Sequence, residues 1–144
     1  MEISSGYLSA EFVTDPAQGE ARLDDPYCLV VQGRVTSMRH ILGVLEAVAK
    51  SGRPLLMIAE DLNGEALATL IVNKLRGTLR CCAVRVAASD AHGWDALRDL
   101  AAVTGAAIVA EDDVPMVSLR DLGSATSAIV TANRTTILGG ALLN

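Results

Sequence analysis

Residues 44–61 read VLEAVAKSGRPLLMIAED, and residues 64–77 read GEALATLIVNKLRG. The first segment passes from a helical apolar pattern through Gly52 and Pro54, which end a helix, into the continuous apolar run of residues 55–59. The second segment repeats the helical pattern and ends at Gly77. Helix, buried strand and helix in close succession are typical of an α/β fold with a parallel sheet.

The same alternation continues outward from these segments. Short connections between the predicted elements favour parallel strands joined by right-handed crossovers. We predict strands at residues 20–23, 27–32, 55–59, 81–86 and 107–110. We predict a first helix that is capped by Ser37 and runs to about residue 51, a second that follows the polar stretch 60–64 and ends at residues 76–77, and a third over residues 95–103. Near the C-terminus, residues 127–131 and 135–138 are expected to pair as a β-hairpin. The sequence therefore predicts a mixed α/β fold, as a single domain over residues 1–144, with antiparallel additions.

Composition excludes several classes of protein. Of the 144 residues, 51% are hydrophobic but only 3% are aromatic, so the core must be largely aliphatic. The net charge of −5 argues against a nucleic-acid partner, which requires a cationic surface. No apolar run is long enough for a bilayer, and the polar start resembles no signal peptide. We expect the cysteines, Cys28, Cys81 and Cys82, to be buried thiols in a reducing compartment.

Two predicted helices carry more apolar surface than packing on one sheet requires. At 100° per residue, the apolar arc spans about 160° in the first helix and about 200° in the second. These arcs comprise Met38, Ile41, Leu42, Val44, Leu45, Val48 and Ala49, and then Leu67, Leu70, Ile71, Val72 and Leu75. The surplus either packs against further core or faces water as an aliphatic groove, the kind of patch that marks a binding site. Helical periodicity alone leaves both alternatives open, and Tyr7 and Phe12 likewise either fill the core or border a site.

Several blocks of the sequence resemble the apical domain of group I (GroEL-type) chaperonins, in the order and spacing of that family. The two segments quoted above are the longest. The others are GYLS (6–9), FVTDP (12–16), DLAAVTGA (99–106), LRDLG (119–123) and TANRTTILGG (131–140). The resemblance implies swivelling β/β/α layers in which two adjacent helices form a hydrophobic groove. It also implies an isolated apical domain, with the family's equatorial and intermediate domains absent.

In that family, the groove binds non-native polypeptides and, in competition with them, the mobile loop of a GroES-type co-chaperonin. Carried over to the matching positions, the resemblance implies these binding residues: Tyr7, Ser9, Phe12, Leu42, Leu45, Leu67, Ile71, Val72 and Asn73. They largely coincide with the surplus apolar positions of the two helices. We expect the aliphatic side chains to adapt to many sequences, and Ser9 and Asn73 to hydrogen-bond to a peptide backbone.

The resemblance also sets expectations for chemistry and assembly. Full-length members of the family bind ATP and Mg, hydrolyse ATP and form heptameric rings. This chain carries no phosphate-binding loop, so we expect no enzyme activity, no cofactor and no metal site in it. We expect the isolated domain to be monomeric and cytoplasmic, without a nucleic-acid or membrane partner.

This sequence departs from the family's pattern at three places. Glu11 stands where the family usually has an aromatic groove residue. Gly43 replaces a usual proline and should loosen the first helix, and residues 87–94 lack the family's basic cluster. These departures suggest, as an alternative, a divergent paralogue with specialised clients or a moonlighting interaction role.

Two rival functions come from other classes. Glu60 and Asp61 could serve a small α/β enzyme, although a solvated strand end explains them more simply. Ser89, Asp90 and His92 include the residue types of a catalytic triad but lack a nucleophile elbow. The second rival is a stand-alone or moonlighting adhesion or signalling fragment; secretion would favour it, and the absence of a signal peptide does not.

Overall fold

A computed structural model describes residues 1–87 and 91–140. Within these ranges the chain is a mixed α/β structure with two sheets. The strands are β1 (Glu2–Ile3), β2 (Ala21–Asp24), β3 (Tyr27–Val35), β4 (Leu55–Leu62), β5 (Cys81–Arg85), β6 (Ile108–Ala110), β7 (Gly123–Ser124), β8 (Ser127–Val130) and β9 (Thr135–Leu138). The helices are α1 (Met38–Ser51), α2 (Gly64–Arg76) and α3 (Ala91–Thr104), together with the 3₁₀ segments Ala10–Phe12, Glu111–Met116 and Leu119–Asp121.

The central sheet confirms the predicted parallel arrangement. Its strands follow the order β5-β4-β3-β6, all parallel, and β7 adds an antiparallel pairing to β3. Strands β3 and β4 run farther than predicted, to Val35 and Leu62, because their pairing resumes after a register shift between Val31 and Arg34. Apolar runs predicted where these strands begin, but the polar residues at their ends concealed the extension.

The second sheet is antiparallel, in the order β1-β9-β8-β2. Strands β8 and β9 form the predicted hairpin, closed by a hydrogen bond of 2.8 Å from the Thr131 N–H to the Arg134 carbonyl. Strand β1 was not predicted, because two residues are too few to show an alternating pattern.

The ends of α1 and α2 lie where the glycines predicted them. Gly52 and Gly77 both adopt left-handed backbone conformations, with φ of 78° and 76°. Their N–H groups bond back to the carbonyls of Ala49 and Lys74, which closes each final turn. Helix α3 begins at Ala91, ahead of the predicted residue 95. The prediction began too late because the residues before Trp94 show no helical apolar pattern.

The arrangement of the helices decides which of their sides remain uncovered. Helices α1 and α2 pack beside each other. The 3₁₀ segment Glu111–Met116 packs against α1, and the 3₁₀ segment Ala10–Phe12 packs against α2. These two 3₁₀ segments lie about 100 residues apart in sequence, and neither was predicted.

Candidate functional site

Exposed large hydrophobic side chains concentrate on α1 and α2. In residues 1–87 and 91–140, the exposed ones are Met38, Leu42, Val72, Leu75, Met116 and Leu138. The first four lie on the two helices and are called here the exposed helix surface. Leu42 is 41% exposed and Val72 is 42% exposed. The surplus apolar arcs therefore do reach solvent in part.

Two of the predicted binding residues are buried instead. Phe12 is 0% exposed and Leu45 is 5% exposed, so the expectation that they lie open to a partner is wrong. Leu45 lies about 40° around the helix from Ile41, within the stripe that faces the core. Phe12 ends a 3₁₀ segment packed against α2 and β5, which directs its ring inward. Both residues support the surface without forming it.

The two sides of α1 differ in their neighbours. A Cβ at Gly43 would lie 3.7 Å from the Pro115 carbonyl oxygen, so this side of the helix borders the 3₁₀ segment Glu111–Met116. Met38 and Leu42 fall on the other side of the buried stripe. Their exposed side chains are therefore on the side of α1 away from that segment.

Two of the predicted aliphatic residues of α2 lie on the side of the helix that faces the N-terminal segment. Leu67 and Ile71 are half-buried against the core, and by helical spacing they share a side of α2 with Lys74. The Lys74 ammonium donates a hydrogen bond of 3.0 Å to the Val13 carbonyl, which fixes the direction of that side. Asn73 falls on the opposite side of the buried Leu70. Leu67 and Ile71 therefore lie on one side of the buried Leu70, and Asn73 lies on the other.

A pocket of about 420 Å³ lies between α2 and the N-terminal segment. It is called here the α2 pocket, and its lining includes Tyr7, Glu11, Val13, Pro16, Lys74 and Leu75. The half-buried Tyr7 is fixed from both its backbone and its side chain. Its N–H donates to the Thr131 carbonyl at 3.0 Å, and its hydroxyl donates to the Gly19 carbonyl at 3.2 Å. Tyr7 thus borders the α2 pocket, whereas Phe12 fills the core.

The two predicted polar binding residues already have local partners. The Ser9 hydroxyl accepts a hydrogen bond from the Glu11 N–H at 3.2 Å and caps the 3₁₀ segment Ala10–Phe12. The Asn73 amide donates to the Thr69 carbonyl at 2.8 Å and accepts from the Thr78 hydroxyl at 2.8 Å. Both side chains shape the turns beside the exposed helix surface.

One of the two carboxylates considered for catalysis, that of Asp61, has a structural role. The Asp61 carboxylate accepts hydrogen bonds from the Leu62 N–H and from the Asn63 amide, each at 2.9 Å, at the turn into α2. Ser89 and Asp90 lie outside the described residues. No group of three or more potential metal ligands comes together in the part of the chain that the structure describes.

The pocket and the exposed helix surface include residues that sequence reasoning did not assign to the site. Leu75 and Met38 belong to the wide apolar arcs, so a signal for them was present. Val13 and Pro16 gave no such signal, because only the packing of the N-terminal segment brings them to α2.

A search of models of known protein families finds none that matches this chain. Across the described residues, no helix combines the length and apolar character needed to cross a membrane.

Proposed function

We propose that this chain is the polypeptide-binding apical domain of a group I chaperonin and that it holds non-native polypeptides on α1 and α2. The observation that carries the proposal is the exposed helix surface of Met38, Leu42, Val72 and Leu75. These side chains lie on the same two neighbouring helices that the sequence blocks match to the family's groove.

The chemistry of this surface suits binding without sequence specificity. Met38 and the two leucines have flexible side chains that can repack against different partners. Covering apolar area contributes about 25 cal/mol per Å², whatever the sequence of the segment that covers it. An exposed aliphatic surface on two helices therefore favours the exposed apolar segments that unfolded chains share.

The rest of the proposed role follows from the resemblance. The intact protein would be cytoplasmic and would use ATP in domains outside this chain. The GroES-type co-chaperonin would compete for the same surface. The isolated domain would act as a monomeric holding surface with no catalytic step of its own.

Suppression of the aggregation of a chemically denatured protein tests the proposal. Leu42→Glu and Val72→Glu place a charge on the exposed helix surface and should weaken holding by about tenfold each, since each removes the burial of one aliphatic side chain. Both positions are exposed, so the fold should tolerate the change, unlike Leu45→Glu at a buried position. Light scattering against domain concentration gives the apparent affinity.

Leu138→Glu is the matched control. Leu138 is 46% exposed, close to Leu42 and Val72, but it lies on β9 of the antiparallel sheet. The Leu138→Glu variant should suppress aggregation of the denatured protein as well as the native domain does. The proposal fails if the native domain does not suppress aggregation. It also fails if all three variants suppress aggregation as well as the native domain does.

A further inference from the structure

The α2 pocket has a mixed apolar and polar lining, and the carboxylate of Glu11 in it has no salt bridge among the described residues. Tyr7, Val13, Pro16 and Leu75 supply the apolar part of the lining. The pocket is an open depression of about 420 Å³ on the surface. The pocket adjoins the exposed Leu75, so a chain lying on the exposed helix surface can place a side chain in it.

Glu11 gives this pocket its charge. The residue is exposed in the 3₁₀ segment Ala10–Phe12. Among the cations that the structure describes, none forms a salt bridge with its carboxylate. Lys74 also lines the pocket, but its ammonium is half-buried and donates to the Val13 carbonyl. Glu11 therefore presents a solvated carboxylate that a partner's cation can reach.

Further acidic residues lie near the Glu11 carboxylate in the sequence. Asp15 and Glu20 are paired at the ends of a turn whose Pro16 and Gly19 line the pocket. Two further acidic residues are therefore adjacent in sequence to residues that line the pocket. The whole chain carries a net charge of −5, so its long-range field also attracts cations.

We propose that the α2 pocket takes an aliphatic side chain of a bound polypeptide segment and that Glu11 pairs with a Lys or Arg next to it. This inference rests on the proposed function and names its preferred client: an unfolded segment in which an apolar residue is flanked by a cation. Apolar burial supplies most of the affinity, and the carboxylate supplies the preference.

Fluorescence anisotropy of short labelled peptides tests the inference. The peptides share one leucine-rich sequence and differ at one neighbouring position, which is Lys, Gln or Glu. The Lys peptide should bind about threefold more tightly than the Gln peptide, because exposed ion pairs contribute little. The Glu peptide should bind more weakly than both. The differences should shrink in about 0.5 M NaCl, which screens exposed charges.

Glu11→Gln should remove the preference for Lys, so that the Lys and Gln peptides bind with similar affinity. Asp112→Asn is the matched control, since Asp112 is an exposed carboxylate in the 3₁₀ segment on the far side of α1. It should retain the preference. Equal binding of the three peptides to the native domain, or a preference that survives Glu11→Gln, overturns the inference.

The failure of this inference differs from the failure of the proposed function. Val72→Glu should weaken the binding of all three peptides, whereas Glu11→Gln should change the ratio of their affinities. Binding that ignores peptide charge but falls with Val72→Glu overturns the pocket's selectivity alone. Absence of binding by every peptide overturns both proposals.

Discussion

Glu11 and Phe12 are neighbours in sequence with opposite environments. The Phe12 ring is fully buried, while the Glu11 side chain is exposed at the edge of the α2 pocket. The 3₁₀ segment Ala10–Phe12, begun by the Ser9 cap, fixes this division by turning one side chain toward the core and the other toward water. Phe12 thereby fastens to the core the segment that forms one wall of the pocket.

Phe12→Ala should destabilise the domain by about 3–5 kcal/mol, because it removes a buried ring and leaves a cavity. Phe12→Leu should lose less, since it keeps more of the buried volume. Urea unfolding followed by circular dichroism measures both free energies. A loss below about 1 kcal/mol for the alanine variant would show that the ring is not packed in the core.

At the scale of elements, α1 has one glycine inside it and a second directly after it, and the two have different roles. Gly43 lies inside the helix, where a Cβ would meet only the Pro115 carbonyl oxygen at an ordinary 3.7 Å. Gly52 ends the helix with a φ of 78°, a conformation that residues with a Cβ rarely adopt. One glycine therefore weakens the helix, and the other is needed to end it.

Gly43→Ala should stabilise the domain by about 0.5–1 kcal/mol through helix propensity. Gly52→Ala should destabilise it by about 1 kcal/mol, although nothing lies within 4 Å of the added Cβ. Thermal unfolding distinguishes them by the sign of the shift in Tm. Shifts of the same sign would contradict this assignment of the two glycines.

At the scale of the whole molecule, the central sheet holds three buried thiols. Burial raises the pKa of Cys28 on β3 and of Cys81 on β5 to about 12, and it also raises the pKa of Cys82. The folded state thus keeps its thiols protonated at a pH where the unfolded chain releases those protons. Folding is therefore linked to proton uptake at alkaline pH.

Stability should fall as the pH rises above about 8.5, the ordinary pKa of a thiol, toward the folded value of about 12. Each thiol contributes a slope of up to about 1.4 kcal/mol per pH unit. Cys82→Ala should flatten the dependence of the unfolding free energy on pH across this window, even if the variant is less stable at pH 7. Urea unfolding at several alkaline pH values measures the slope. Equal slopes in both proteins would refute the linkage, because other alkaline titrations are common to the two.

The sequence by itself determined the three helices, most of the strands and the parallel central sheet. Apolar runs, helical periodicity and the glycines that end α1 and α2 are local signals, and each acts within about one turn or strand of its own position. That is why the bounds of both helices were predicted closely. The short β1 and the 3₁₀ segments lacked such signals and were missed.

Only the tertiary structure decided which parts of the wide apolar arcs stay open. Periodicity placed Leu45 and Leu42 in the same arc, but one is buried and the other exposed. Their environments depend on what packs around the helices: residues near 10–12 cover one side of α2, and residues 111–116 cover one side of α1. Burial is set by contacts between residues far apart in sequence, so a pattern within one helix cannot specify which of its sides faces water.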